Sequence, residues 1–289
     1  SAAYSLAHLA LKEATEANYA NGIKYAHTLI GLGNLNQGNY AQAISSFKKS
    51  EAVQGDASSK GTSGYNLTLL GNMYRDLGQY DSSRYYYYKA IDVLRTTGDS
   101  VLLATIISNA GDAFLQQKKF DSALYYFKES GQVFENVDYP TGKAYNLGNL
   151  GMVYANTGQK ELAEKNINEA IRMLEEMGDY SPICIYLISM SDIYAEKGDG
   201  DIAYSYALRS LSLAEQYKLK DQVSEASLKL SVLSEKFGDK DAALGFYKKH
   251  IAFRDSVNDI NTVQKMANLR TDFEVSQKQV EVDLLNQEK

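Results

Sequence analysis

The sequence predicts an all-α protein made of stacked helix pairs, and three observations carry that prediction. Glycine returns at forty-residue steps, at Gly38, Gly78, Gly158, Gly198 and Gly238, with Lys118 in the third place. Two further ladders keep the same step: Gly31, Gly71, Gly111 and Gly151 followed by Ser191 and Ser231, and Ala43, Ser83, Ala123, Ala163, Ala203 and Ala243. A fixed period of this length without insertions is the mark of a stacked repeat protein. Apolar residues between the rungs fall at helical spacing, and the chain holds only Pro140 and Pro182, which leaves long helices unbroken.

The first segment, residues 1–20, reads as the second helix of a truncated repeat. Ala3 lies in phase with Ala43, and Tyr4, Leu6, Ala7, Ala10, Leu11 and Ala14 make one apolar face. That register leads us to expect a fragment of a longer chain. Residues 21–256 hold six repeats of forty residues. In the clearest one, Leu67, Leu70, Gly71 and Tyr74 form the apolar stripe of a first helix. Gly78 supplies the left-handed residue that closes it, and Asp81 is placed to cap a second helix through Ser83, Tyr87, Ala90, Ile91 and Leu94. Gly98-Asp99 and Gly178-Asp179 close their units.

Small residues on the ladders let the paired helices approach, and aromatic rungs fill the volume between them. The run Tyr85-Tyr86-Tyr87-Tyr88 points in four directions on a helix. Lys118 must either take the left-handed conformation or belong to a different turn. Residues 257–289 carry an apolar stripe in which Met266, Phe273 and Val280 are seven apart, which predicts a long capping or signalling helix with coiled-coil character.

The order Leu67, Leu70, Gly71, Tyr74, Gly78, Tyr80, Ser83, Tyr87, Ala90 resembles the tetratricopeptide repeat (TPR) pattern. The repeat here is longer than the family's usual one, with the extra residues between one unit's second helix and the next unit. The resemblance implies a right-handed superhelix, an α-solenoid with a long C-terminal helix, whose concave wall comes from the first helix of each unit. Ser227, Ser231 and Ser234 depart from the pattern in the sixth unit, as terminal repeats do.

No constellation for catalysis stands out. His8, His27 and His250 lie at no metal-ligand spacing. Cys184, the single cysteine, reads as a buried thiol, and no intrachain disulfide is possible. Gly31-Leu32-Gly33 sits inside a helix with no strand before it, so it fails as a dinucleotide loop. Asn66-Leu67-Thr68 is a glycosylation sequon placed in mid-helix. The reading is of a non-enzymatic protein with no cofactor and no metal. A net charge of −6 and a pI near 5.2 argue against nucleic acid, and the chain has no stretch apolar enough for a membrane span.

Carrying over the family's ligand-facing positions gives a concave wall of Tyr25, Thr28, Leu32, Tyr65, Thr68, Asn72, Asp76, Ser108, Asp112, Gln116, Tyr145, Met152, Asn156 and Asp192. The lysines of the family's carboxylate clamp are missing. An extended peptide or partner helix with basic character is the expected ligand. The array followed by a charged, heptad-like helix resembles the sensor region of bacterial TPR-containing membrane signalling proteins, either histidine kinases or transcription regulators. That resemblance implies an extracytoplasmic, periplasmic sensor, a membrane anchor following it and a homodimer contact through the C-terminal helix. In this picture ligand occupancy alters the array's curvature and the last helix passes the change on. The alternative is a free-standing cytoplasmic scaffold or co-chaperone-like adaptor.

Overall fold

A computed structural model describes residues 2–257. The capping or signalling helix expected at 257–289, its coiled coil and its homodimer contact fall outside the described residues, apart from Val257. Thirteen α-helices follow one another among the described residues: α1 Ala2–Glu16, α2 Ala20–Asn36, α3 Tyr40–Ala52, α4 Lys60–Asp76, α5 Tyr80–Leu94, α6 Ser100–Gln116, α7 Phe120–Glu135, α8 Pro140–Asn156, α9 Lys160–Met177, α10 Tyr180–Lys197, α11 Gly200–Gln216, α12 Lys220–Lys236 and α13 Lys240–Val257. The all-α prediction holds. The chain divides into two compact units, one reaching to Ala113 and the other beginning at Phe114. In the first, α2 packs on α1 and α3, and α4 on α5. In the second, α8 packs on α9, α10 on α11 and α12 on α13.

The forty-residue period is two nearly equal halves. Positive φ recurs every twenty residues, at Asn18, Gly38, Gly78, Gly98, Lys118, Gly158, Gly178, Gly198, Lys218 and Gly238, and only positions 58 and 138 miss the beat. The residues that exceed the usual repeat are absorbed into longer helices: only Gly178 and Asp179 separate α9 from α10. At Lys118 the left-handed alternative is realised, with φ +58. Its turn is built as the glycine turn is. The Lys118 N–H donates to Leu115 O at 2.8 Å and Lys119 to Phe114 O at 2.9 Å. At Gly78 the matching bonds run from Gly78 to Arg75 O and from Gln79 to Tyr74 O, both 2.8 Å. This is the double bond that satisfies a helix's last carbonyls.

Asp81 does not cap α5. The cap position is Gln79, with no side-chain bond; Asp81 lies inside the first turn and pairs with Arg84, favoured there by the helix dipole. Pro140 opens α8, where its missing N–H costs no hydrogen bond.

The glycine ladder is a close-approach ladder. A Cβ on Gly31 would lie 2.6 Å from Phe47, on Gly71 2.5 Å from Tyr87, and on Gly151 2.5 Å from Ile167. The serines that end the ladder face different neighbours. Opposite Ser191 the corresponding residue is Ala207, and opposite Ser231 it is Tyr247, which is 47% exposed. Each serine hydroxyl then reaches across the helix pair to the alanine ladder: Ser191 Oγ donates to Ala203 O at 2.7 Å, and Ser231 Oγ to Ala243 O at 2.8 Å. Large residues opposite glycine, and small or outward-turned ones opposite serine, keep the crossing filled. Phe47, Leu70, Tyr74 and Tyr87 are fully buried in the first unit, as are Phe127, Ile167, Leu174 and Leu187 in the second. Each contributes roughly 1.5–3 kcal/mol.

Candidate functional site: the wall of first helices

The fourteen predicted wall residues lie on α2, α4, α6, α8 and α10, the first helices of successive repeats. Tyr25, Tyr65 and Tyr145 occupy one register, forty or eighty residues apart, and are 57%, 39% and 37% exposed. Ile185 continues that register at 44%. Asp76, Gln116, Asn156 and Asp192 are also exposed, while Leu32, Asn72, Ser108, Asp112 and Met152 are half-buried.

Two of the fourteen are not wall residues. Thr28 and Thr68 are buried, at 3% and 7% exposure. Thr68 Oγ1 donates to Gly64 O at 2.7 Å. Thr28 Oγ1 belongs to a buried cluster, 3.1 Å from Ser50 Oγ and 2.9 Å from the Asn66 amide nitrogen. Their short side chains reach their own helix or the next layer, so they pack inward. Asn66, the sequon residue, is fully buried in the same cluster. Its amide also donates to Ser50 Oγ at 2.8 Å and Glu51 Oε1 at 3.2 Å. Lys24 completes the cluster, its ammonium 3.2 Å from Glu51 Oε1 and 3.1 Å from Ser50 O.

Carboxylates on these first helices are largely neutralised, Asp76 from its own helix and Asp112 and Asp192 from a neighbouring first helix. In the first unit Arg75 bridges Asp76 at 3.0 Å and Asp112 at 3.2 Å. Tyr87, reaching through from α5, donates its hydroxyl to Asn72 Oδ1 at 2.7 Å. Burial pushes the Tyr87 phenol up to about 12, against the opposing pull of Arg75 and Ser83, so it remains a donor throughout the physiological range. In the second unit Lys229 pairs with Asp192. The Tyr145 hydroxyl donates to Asp179 Oδ2 at 2.6 Å; burial, then that carboxylate, raises its pKa. Asn156 donates to Met152 O at 2.8 Å, within its own helix.

Clefts interrupt the wall in both units. In the first, a cleft of about 810 Å³ lies between α1 and α2, lined by Tyr4, Leu6, Leu29 and Leu32 among others. In the second, one of about 370 Å³ is bordered by Met152, Cys184, Ile185, Ile188, Asp221 and Glu225. Another, of about 420 Å³, is lined by Asn156, Asp192, Glu196, Lys229 and Lys236. Ile188 is at a ligand-facing position of the repeat, whereas Asp221 and Lys229 were not among the residues expected from the sequence. The signal that finds them is the forty-residue register applied to the neighbouring columns of the same helix face.

The other chemistry-bearing residues are structural. Cys184 is fully buried, and burial raises its thiol to about 11. His250 is buried, with Nδ1 2.9 Å from Ser224 Oγ. His27 is half-buried, its pKa lowered by burial and then by Lys49 and His8. No group of three His, Cys, Asp or Glu residues converges as a metal site among the described residues.

Consecutive antiparallel helix pairs, closed by left-handed turns and packed through small-residue crossings, define a helical-repeat interaction scaffold. Family models described as tetratricopeptide repeat match residues 65–136 and 144–173, and one described as anaphase-promoting complex subunit 5 matches residues 201–277. The chain is a tetratricopeptide-repeat protein, a protein-interaction module. No curated protein sequence matches it. Among solved structures, aspartyl phosphate phosphatase F from Bacillus subtilis superposes with a TM-score of 0.66 at 19% identity, over 94% of this chain and 73% of that one. A Rap protein complexed with competence and sporulation factor gives 0.61 at 16%, over 85% and 76%. A signal-transduction ATPase with a TPR sensor from Pyrococcus horikoshii gives 0.59 at 14%, over 91% and 43%. At these identities the likeness is one of fold.

The expectation of a periplasmic sensor region in a membrane protein is corrected. No helix among the described residues is long and apolar enough to cross a membrane, and the charged, heptad-like pattern that suggested such a setting is equally a pattern of water-facing helices.

Proposed function

We propose that the wall of first helices binds a protein or peptide, and that the chain is the sensory or interaction part of a signal-transduction protein. The observation that carries this reading is the register of exposed rings and aliphatic side chains at Tyr25, Tyr65, Tyr145 and Ile185, set beside clefts on the same helices. A tyrosine presents an apolar body and a hydroxyl with few rotatable bonds, so it gains contact area at low entropic cost. With its carboxylates held by Arg75 and Lys229, most of the wall offers rings and amides rather than net charge. That suits an extended peptide or a partner helix. Two fold relatives, the Rap protein in complex with its factor and the ATPase with a TPR sensor, lend the signalling half of the proposal its motive.

Photo-crosslinking in cells of the source tests it. A benzoylphenylalanine placed at Tyr65 or Tyr145 is expected to capture one recurring protein or peptide, identified by mass spectrometry. The same probe at Tyr125, which is 61% exposed on the second helix α7, is expected not to capture it. Equal capture from both faces, or capture from Tyr125 alone, overturns the assignment.

A further inference from the structure

The cleft between α10 and α12 differs from the rest of the wall in both shape and charge. Its accessible sides are apolar: Met152 from α8, and Ile185 and Ile188 from α10. Its floor is Cys184 and Ser210, whose polar groups satisfy one another. Ser210 Oγ donates to Cys184 O at 3.0 Å, and the Cys184 thiol points to Ser210 O at 3.6 Å. The hydroxyl and thiol protons of the floor are thus both engaged within the protein, and what enters is held mainly by apolar contact. At about 370 Å³ the cleft lies at the small end of ligand-binding sites.

The rim is acidic, and its acids are uncommitted. Asp221 and Glu225 stand one helical turn apart on α12, both exposed. Each is without an ion pair among the described residues. The cations that could have served them are engaged elsewhere: Lys229, one turn beyond Glu225, pairs with Asp192, and Lys220 donates to Ser256 Oγ at 2.9 Å. Like charges one turn apart repel. Elsewhere on the wall Asp76, Asp112 and Asp192 have been given partners from neighbouring side chains; here the cation is left to come from outside.

We infer that this cleft is a specificity subsite for a peptide carrying an aliphatic residue next to a lysine or arginine. The aliphatic side chain seats against Met152, Ile185 and Ile188, and the cation lies between Asp221 and Glu225. The inference rests on the proposal that the first-helix wall binds peptides, and it names which peptides.

The test is selection of a displayed random hexapeptide library on the full chain, followed by fluorescence polarisation with the best fluorescein-labelled sequence. The expected result is enrichment of aliphatic–basic pairs. In the double variant Asp221→Asn/Glu225→Gln, whose sites are both exposed, affinity for the basic peptide should fall about tenfold, the worth of a charge-assisted contact. Replacing the peptide's basic residue by norleucine should then cost nothing further in that variant. The variant Ile185→Ser should weaken the basic and norleucine peptides alike. Enriched peptides that lack basic residues, or that bind the double variant unchanged, overturn the subsite. If those peptides are still lost on Tyr145→Ser, the wall survives as the binding surface and only the subsite fails. If no peptide is enriched, both readings fall together.

Discussion

The second repeat, α4 with α5, and the fifth, α10 with α11, solve one crossing in opposite ways. In the second, glycine at position 71 admits the large ring of Tyr87, whose hydroxyl passes through to hold Asn72 on the wall. In the fifth, serine at position 191 faces Ala207, and a hydroxyl bond to Ala203 O takes the place of ring contact. The wall residue equivalent to Asn72, Asp192, is then held sideways by Lys229. The crossing conserves filled volume rather than residue type. What fills it decides whether the wall is anchored from behind or from beside.

The largest effects should come from mixing the two solutions. Ala207→Tyr forces a ring against Ser191 and is expected to destabilise by about 3 kcal/mol, the upper range for overpacking. Gly71→Ser, with its Cβ 2.5 Å from Tyr87, should cost about 2 kcal/mol. In a Tyr87→Ala background, which reproduces the fifth repeat's pair, the same serine should cost less than about 0.5 kcal/mol. Urea unfolding of the single and double variants reads this coupling directly; additive costs would refute the volume rule.

A second difference between the regions is the buried cluster of Lys24, Thr28, Ser50, Glu51 and Asn66, which has no charged counterpart at the same positions of the fourth and fifth repeats, where Ala144, Ala170 and Tyr186 stand. Glu51→Ala leaves the Lys24 ammonium buried without its carboxylate and is expected to cost about 2–3 kcal/mol, whereas Lys24→Met/Glu51→Leu should be neutral to within about 1 kcal/mol. Equal losses in the two variants, measured by the same unfolding, would mean that the pair itself stabilises the fold.

The smallest effect is at the turns. Lys118→Gly relieves a left-handed lysine and should stabilise by about 1 kcal/mol, and Gly78→Ala should lose a similar amount. No neighbour lies within 4 Å of a Cβ at Gly78, so the second change reports backbone strain alone. A fall in melting temperature for Lys118→Gly would contradict the turn described above.

The repeat architecture was legible because its constraints are local and periodic: left-handed turns need glycine or bear a visible exception, and helix crossings need small residues. The twenty-residue half-period was harder to see, since Asn18 and Lys218 take positive φ without being glycine. Asp81 misled as a cap because the turn closes through backbone bonds from Gln79 instead. On the first helices, periodicity located the exposed rings of Tyr25, Tyr65 and Tyr145. It could not separate Thr28 and Thr68, which turn inward, from Asn72, because one register step on a helix face divides buried from half-buried. The pairs Arg75–Asp112 and Lys229–Asp192 join residues 37 apart. Such a separation has meaning only once first helices are known to lie side by side, so the neutralised wall and the two uncommitted acids at Asp221 and Glu225 emerged from the structure alone.

The claim that matters most is that ligands meet the first helices and not the second. Affinity for the crosslinked partner, measured by fluorescence polarisation, should fall at least tenfold in Tyr25→Ser/Tyr65→Ser/Tyr145→Ser, about the loss expected when central aromatic anchors are removed. It should stay within about twofold in Tyr85→Ser/Tyr125→Ser/Leu208→Ser, whose exposed residues lie on second helices. Loss of binding in the second variant with retention in the first would contradict the account.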